Sequence, residues 1–280
     1  MDRVNVYIDG FNFFHGLKKM RMTDPDWQKF YWLDLVKLFD HFILPGQALQ
    51  KVFYFSAIDH VQDRSIRQAK LFDANKLVNP DRFEIVFGKY YRKNLKCKLC
   101  TGRYKTHEEK RTDVNVCAYL MNDCALGNVD AIMLVTADSD LITPIELMRR
   151  NYPNKKLRLF FPPSANSREL TNIMKTIKKQ PIHLSKHKQK FTNSLLPDIV
   201  SKDGTTLTIP DKWNQPYIPP VPSNIVPANL MDLYTKHFGS TSLAQSTRVL
   251  HTVQASAQII EFDHPNMPAF IKDLTEHTSS

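Results

Sequence analysis

The sequence predicts an α/β protein with a mainly parallel sheet and helices on both of its faces. Short β-favouring segments alternate with amphipathic helical segments between residues 4 and 176, which is the pattern of successive βαβ units. Five of the six residues at 131–136 are apolar, as expected of a strand buried on both faces of a parallel sheet. With 280 residues and 42% hydrophobic side chains, the chain can bury a core large enough for such a fold.

The individual elements follow from local periodicity and from turn residues. The predicted strands cover residues 4–8, 52–58, 83–91, 131–136 and 157–161. The predicted helices cover residues 11–20, 32–42, 63–78, 112–126, 141–150 and 167–176. Apolar side chains recur at helical spacing in these helices, and Pro45-Gly46 ends the second of them. Right-handed crossovers then place the strands in one sheet.

Four aspartates lie where predicted strands end or predicted helices begin. Asp9 ends the first strand, and Asp113 opens the helix before the fourth strand. Asp138 and Asp140 follow the fourth strand directly. If the first and fourth strands are neighbours, these carboxylates converge at the carboxyl edge of the sheet, where such folds bind ligands. Clustered carboxylates need a cation, and oxygen ligands suit Mg²⁺ or Mn²⁺, ions that support phosphodiester hydrolysis.

Helix capping is the alternative role for each of these aspartates. An Asp at an N-cap is common and stabilises a helix by about 1 kcal/mol. Asp140, however, lies past the expected cap position, and capping does not require four acids at one sheet edge. We therefore favour a metal site.

Three motifs at these positions resemble the signatures of NYN domains, which are relatives of PIN nucleases. The first is Asp9-Gly10-Phe11-Asn12, after the first strand. The second is Glu109-Lys110-Arg111-Thr112-Asp113-Val114, before a helix. The third is Thr136-Ala137-Asp138-Ser139-Asp140-Leu141, after the fourth strand. The resemblance covers roughly residues 1–180. It departs from the family at Lys110-Arg111, where members often have Lys-Gly, and at Ala137, where they have Gly or Ser.

The resemblance implies a three-layer PIN-like fold with a five-stranded sheet of order 3-2-1-4-5. It also implies metal-dependent ribonuclease activity, for which we expect Mg²⁺ or Mn²⁺ as the ion and single-stranded RNA as the substrate. The family's acidic positions fall on Asp9, Asp113, Asp138 and Asp140, and its amide falls on Asn12. One alternative is a catalytically inactive RNA-binding module in which the acids hold a structural ion. A phosphatase with an aspartyl nucleophile is disfavoured, because it would require a second Asp two residues after Asp9, where Phe11 stands.

A basic segment leads into Asp113 and is a candidate RNA-binding surface. Residues 82–111 contain ten Lys or Arg side chains and three Glu, within a chain of formal net charge +10. The candidate RNA contacts are Lys89, Arg92, Lys93, Lys96, Lys98, Arg103, Lys105, Lys110 and Arg111. Tyrosines lie among them, and cations combined with aromatic rings are typical of single-strand binding. The alternative is a solvated surface loop.

The cysteines indicate a reducing compartment rather than a disulfide framework. Cys97 and Cys100 have the spacing of half a zinc site and are candidate ligands of a structural Zn²⁺. Cys117 and Cys124 lie at apolar positions of a predicted helix, where core packing is expected. Because no secretory signal or membrane-spanning run is recognisable, we expect a cytoplasmic protein.

The composition changes after the predicted nuclease domain. We predict that this domain covers residues 1–186 and that residues 187–280 form a proline-containing linker and a mostly irregular C-terminal extension. The extension is a candidate contact for a protein partner or for a second copy of the chain.

Overall fold

The computed structural model of the protein describes residues 1–96, 103–217 and 236, and it leaves the side chains of residues 96 and 103–106 undescribed. The chain divides into two compact units, Met1–Pro216 and Tyr217–Ser280. Nearly all described residues belong to the first unit. That unit ends at Pro216, beyond residue 186, where the sequence places the domain boundary. Within the described part of the chain, no helix has both the length and the apolar character needed to cross a membrane.

The first unit contains ten strands and eight α-helices within its described residues. The strands are β1 (Asp2–Asp9), β2 (Gln47–Ser56), β3 (Phe83–Phe87), β4 (Lys89–Lys96), β5 (Arg103–Lys110), β6 (Ala131–Val135), β7 (Lys156–Phe161), β8 (Ile182–His183), β9 (Ile199–Lys202) and β10 (Thr205–Thr208). The helices are α1 (Gly10–Thr23), α2 (Leu35–Asp40), α3 (Gln62–Val78), α4 (Thr112–Ala125), α5 (Ile142–Asn151), α6 (Arg168–Thr176), α7 (Lys188–Thr192) and α8 (Asp211–Asn214). Short 3-10 helices cover Pro25–Tyr31, Ser139–Leu141 and Leu184–His187.

The central sheet has six strands in the order β3-β2-β1-β6-β7-β8, and all of their pairings are parallel. The α/β class with a mainly parallel sheet is confirmed. The predicted five-stranded sheet with order 3-2-1-4-5 is corrected, because β8 adds a sixth strand beside β7. In that pairing, Phe160 lies opposite Ile182 and Phe161 lies opposite His183. A two-residue strand is too short to show a periodicity in the sequence.

The basic segment is an antiparallel hairpin rather than a loop. β4 pairs with β5 from Lys89 opposite Lys110 to Lys96 opposite Arg103. The predicted strand at residues 83–91 is therefore divided at Gly88, where the chain leaves the central sheet. A Cβ atom at Gly88 would lie 2.7 Å from the carbonyl oxygen of Lys110, so glycine permits the close approach of the two ends of the hairpin.

Side chains that alternate along the strands pack into two hydrophobic clusters, one on each face of the sheet. Val4, Val6 and Ile8 of β1 belong to one cluster, whereas Tyr7 belongs to the other. The first cluster includes residues of α1, α2 and α3, and the second includes residues of α4, α5 and α6. The fold therefore has three layers, with the sheet in the middle.

Residues after 186 contribute to the first of these clusters. Phe191 and Trp213 are both buried in it. The Phe191 ring lies 5.2 Å from Trp27 and 5.3 Å from Phe30 between ring centroids, and the Trp32 indole donates to the carbonyl of Pro197 at 2.8 Å. This segment therefore completes the core of the unit that carries the sheet.

Candidate metal centre

Three of the predicted aspartates meet at the carboxyl edge of the sheet. β1 and β6 are neighbours in register, with Ile8 opposite Val135, so both strands end at the same level. Asp9, Asp113 and Asp138 each offer a carboxylate oxygen, and these oxygens lie within 4.8 Å of one another. The strand ends supply Asp9 and Asp138, and the first turn of α4 supplies Asp113.

Asp9 is buried and firmly held by hydrogen bonds. Its carboxylate accepts from the Asn12 backbone N–H at 3.0 Å, from Asn12 Nδ2 at 2.6 Å and from Thr136 Oγ1 at 3.0 Å. Asp9 is only 2% exposed. This burial raises the pKa of Asp9 to about 6, although the three hydrogen-bond donors lower it. A cation beside the carboxylate would offset that desolvation penalty.

Asp113 is partly buried and lies among other acids. Burial raises its pKa first, and the charges of Asp138, Glu109 and Asp140 raise it further. Because like charges destabilise one another at short range, this group favours the binding of a cation. The donors are all carboxylate oxygens, which fit Mg²⁺ or Mn²⁺.

Asp138 and Asp140 occupy different environments, although they are two residues apart. Asp138 Oδ1 accepts from the Asp140 backbone N–H at 2.9 Å, and the Asp138 backbone N–H donates to Thr136 Oγ1 at 3.0 Å. Asp140 is exposed and is not a member of the group of three carboxylates. The predicted convergence of four acids therefore reduces to three, with Asp140 beside them.

Capping and clustering are not exclusive at this site. Asp9 is the N-cap of α1, and Asp138 caps the 3-10 helix that follows β6. Asp113 is not an N-cap, because that position of α4 belongs to Arg111. Capping thus explains the local geometry of Asp9 and Asp138. It does not explain why Asp113 lies beside them.

Thr136 and Glu109 contribute to the site in ways that the sequence does not reveal. Thr136 is fully buried and bridges Asp9 to the Asp138 backbone. Glu109 Oε1 accepts from the Thr112 backbone N–H at 3.3 Å and from the Thr112 hydroxyl. The Glu109 carboxylate thus faces the start of α4 and adds to the negative potential at Asp113. Its position at the end of a β-strand becomes evident only once the hairpin is known.

The predicted RNA contacts in the hairpin belong to two faces. On one face, Lys93 and Lys110 both form ion pairs with Glu108, and Lys89 is exposed on the same face. On the other face, exposed Arg92 lies opposite His107. The His107 ring stacks on His60 at 3.8 Å between centroids, which connects this face to the loop before α3.

Arg111 lies at the junction between the hairpin and α4. Its φ of 80° is in the left-handed region, which explains why glycine is favoured where this chain departs from the usual Lys-Gly pair. The Arg111 guanidinium donates to the Tyr91 hydroxyl at 3.4 Å. The side chain is exposed two residues from Asp113.

Several predicted positions have no described side chain. Cys97, Lys98 and Cys100 lie outside the described residues, and so does the predicted zinc site. Lys96, Arg103 and Lys105 are described only in their backbone. Of the other two cysteines, Cys124 is buried and Cys117 is partly buried, as core packing requires.

The family model of the NYN domain matches residues 3–178. The chain belongs to the NYN domain family. NYN domains are part of the PIN-like nuclease superfamily and generally act as nucleases on RNA, and the aspartate cluster of this NYN domain is compatible with metal binding. The resemblance found in the three sequence motifs is thus confirmed.

Two individual proteins are similar to this NYN domain protein. A 6-hydroxy-3-succinoylpyridine 3-monooxygenase of Pseudomonas putida is 24% identical over 245 residues, which cover 75% of each chain. A crystal structure of a protein of unknown function from Vibrio parahaemolyticus is 15% identical, with a TM-score of 0.43, and the match covers 70% of this chain and 96% of that one.

Proposed function

We propose that this NYN domain is a divalent-metal-dependent ribonuclease that cleaves phosphodiester bonds in single-stranded RNA. The observation that carries the proposal is the group of three carboxylates with oxygens within 4.8 Å of one another. They lie at the sheet edge where α/β folds bind ligands. Membership of the NYN family supports the same activity.

Asp9, Asp113 and Asp138 would hold Mg²⁺ or Mn²⁺ in this function. When bound, such an ion supplies positive charge to the phosphate and lowers the pKa of a water molecule. Asn12 and Thr136 fix the orientation of the Asp9 carboxylate through their hydrogen bonds. Asp140 is exposed beside the cluster, where its carboxylate can orient the attacking water or accept its proton.

The hairpin supplies cations for the RNA backbone. Arg92 and Arg111 are exposed, and Arg111 joins the hairpin to the helix that carries Asp113. Lys93 and Lys110 are engaged by Glu108, so we assign them a smaller share of the binding energy. Phosphate contacts of this kind make RNA affinity fall with rising salt.

The relative from Pseudomonas putida makes oxygenation of an aromatic compound a second candidate function. The donor set argues for the first candidate. Non-haem iron oxygenases typically combine two histidines with one carboxylate, whereas the three-residue group found among the described residues contains only aspartates. Consumption of O₂ in the presence of a pyridine substrate and a reduced nicotinamide would favour the second candidate.

The full chain is expected to cleave single-stranded RNA in the presence of Mg²⁺ or Mn²⁺ and not in EDTA. Cleavage would be measured by gel electrophoresis of a labelled oligonucleotide, with double-stranded RNA and single-stranded DNA as comparison substrates. RNA that is bound in a salt-dependent manner but stays intact with both metals would identify an inactive RNA-binding module instead.

Asp113→Asn is expected to stabilise the metal-free protein and to remove most of the stabilisation by Mg²⁺ or Mn²⁺. The charge of Asp113 is unfavourable without a cation, because burial and neighbouring acids raise its pKa. When the cation is bound, the Asp113 carboxylate would be one of its ligands, so its negative charge would become favourable. At a metal concentration 100-fold above Kd, binding would stabilise the wild type by about 2.7 kcal/mol.

Melting temperatures in EDTA and in Mg²⁺ would measure both effects of this substitution. Asp203→Asn is a matched control, because Asp203 lies in the turn between β9 and β10 with a φ of 49° that Asn tolerates. A metal-induced shift of the same size in the wild type and in Asp113→Asn would show that Asp113 is not a ligand.

A further inference from the structure

Phe11 is a large aromatic residue that the fold leaves exposed two positions after Asp9, in the first turn of α1. Phe11 is 45% exposed, whereas Phe13, two positions further along α1, is buried in the core. The Phe11 ring packs against the His15 imidazole, one helical turn later, with centroids 4.2 Å apart and an angle of 44° between the planes. Neither ring belongs to the two hydrophobic clusters of the described residues, so core packing does not account for this pair.

The backbone fixes the aromatic pair relative to Asp9. A Cβ atom at Gly10 would lie 2.4 Å from the Tyr54 ring, so α1 begins in close contact with β2. On the other side of Phe11, Asn12 donates to Asp9 through both its backbone and its side-chain nitrogen. The backbone of Phe11 therefore lies between two anchored residues, Gly10 and Asn12.

Three cations, Lys18, Lys19 and Arg64, and one acid, Asp59, act on the His15 imidazole. Partial removal from water, followed by the charges of Lys18, Lys19 and Arg64, lowers the pKa of His15 to about 4. The imidazole is therefore neutral at neutral pH and can stack like any flat ring. An aromatic surface flanked by cations is the combination that holds single-stranded nucleic acids, since bases stack on the rings while phosphates approach the cations.

Resting on the ribonuclease function proposed above, we infer that Phe11 and His15 form a stacking platform for the nucleobase next to the scissile phosphate. Because Phe11 lies two residues along the chain from Asp9, we place the stacked base in the RNA strand that would enter the cluster. Every base has a flat face, so the platform requires a base at this position without selecting its identity. The cations on α1 and α3 would contact the phosphates that flank the stacked nucleotide.

The test compares RNA oligonucleotides that carry either a normal or an abasic nucleotide next to the cleavage site. For the wild-type full chain with Mn²⁺, the abasic nucleotide is expected to lower kcat/KM by roughly 5- to 150-fold. Phe11→Ala should lower kcat/KM on normal RNA by a similar factor, mainly through KM, and should be insensitive to the abasic nucleotide. Phe11→Trp should retain the wild-type pattern, and so should the control Ile199→Ala, which truncates an exposed apolar side chain of β9.

The possible outcomes separate this inference from the proposed function. An abasic penalty of equal size in the wild type and in Phe11→Ala would overturn the platform while leaving RNA cleavage established. Failure of the wild type to cleave any RNA would overturn the ribonuclease function, and the platform would then be judged by fluorescence quenching of a bound 2-aminopurine oligonucleotide. Quenching that Phe11→Ala abolishes would support the platform as part of a binding module. Equal quenching in both proteins, or none in the wild type, would overturn it.

Discussion

Asp138→Asn is expected to lower the rate of metal-dependent RNA cleavage on the order of 100-fold or more, while the fold remains intact. The substitution removes one of three converging carboxylates and with it a charge that would hold the cation, a loss comparable to removing a key electrostatic group from an active site. The side-chain oxygen of Asn can still accept from the Asp140 backbone N–H, so the cap of the 3-10 helix is retained. Single-turnover cleavage and circular dichroism would measure the two parts of this prediction.

Asp203→Asn again provides the matched control, because it makes the same chemical change in a turn outside the cluster. RNA affinity in EDTA should change little in Asp138→Asn, since the substitution adds no positive charge and removes only one negative charge. Undiminished cleavage by Asp138→Asn would exclude the carboxylate cluster as the catalytic centre.

Phe191→Ala is expected to destabilise the domain by about 3–5 kcal/mol. The side chain is fully buried and contacts the rings of Phe13, Trp27 and Phe30, so truncation leaves a cavity in a part of the core that α1 and the first 3-10 helix share. Urea denaturation followed by tryptophan fluorescence would measure the loss. The neighbouring exposed Thr192→Ala should change the stability by less than about 1 kcal/mol.

Two fragments test the same feature at the level of the domain. A fragment of residues 1–216 should unfold cooperatively, whereas a fragment of residues 1–186 lacks Phe191 and Trp213 and should expose the apolar surface that they cover. Equal stability of the two fragments would show that the added segment is dispensable for the core.

The parts of the fold that the sequence predicts are those with strong local patterns. The apolar run before Asp138 identifies a buried strand, and the abrupt change to acids identifies its end. The sequence does not predict the hairpin, because its strands carry polar and charged residues at alternating positions and show no hydrophobic alternation. The sequence does not reveal the packing of the segment after residue 186 for a related reason: Phe191 and Trp213 are isolated aromatic residues in a polar context, and only the tertiary structure shows that both are buried in the core.

The candidate site was predictable to the extent that it depends on strand ends. Asp9 and Asp138 come together because β1 and β6 are neighbours, a pairing that the family resemblance implies. The contact between Thr136 and Asp9 spans 127 positions and depends on side-chain orientations that no local pattern encodes. Asp140 likewise is exposed within the 3-10 helix after β6, whereas Asp138 is its N-cap, and this short helix has no periodicity that the sequence could show.

Arg111 connects the hairpin directly to the helix that carries Asp113. One residue separates the end of β5 from the start of α4, and the bond from Thr112 to Glu109 braces this joint from inside. In the proposed function, a tilt of the hairpin on RNA binding would therefore be passed to α4 and would displace the carboxylate of Asp113. Thermodynamic reciprocity then requires that any gain in metal affinity caused by RNA be matched by an equal gain in RNA affinity caused by the metal.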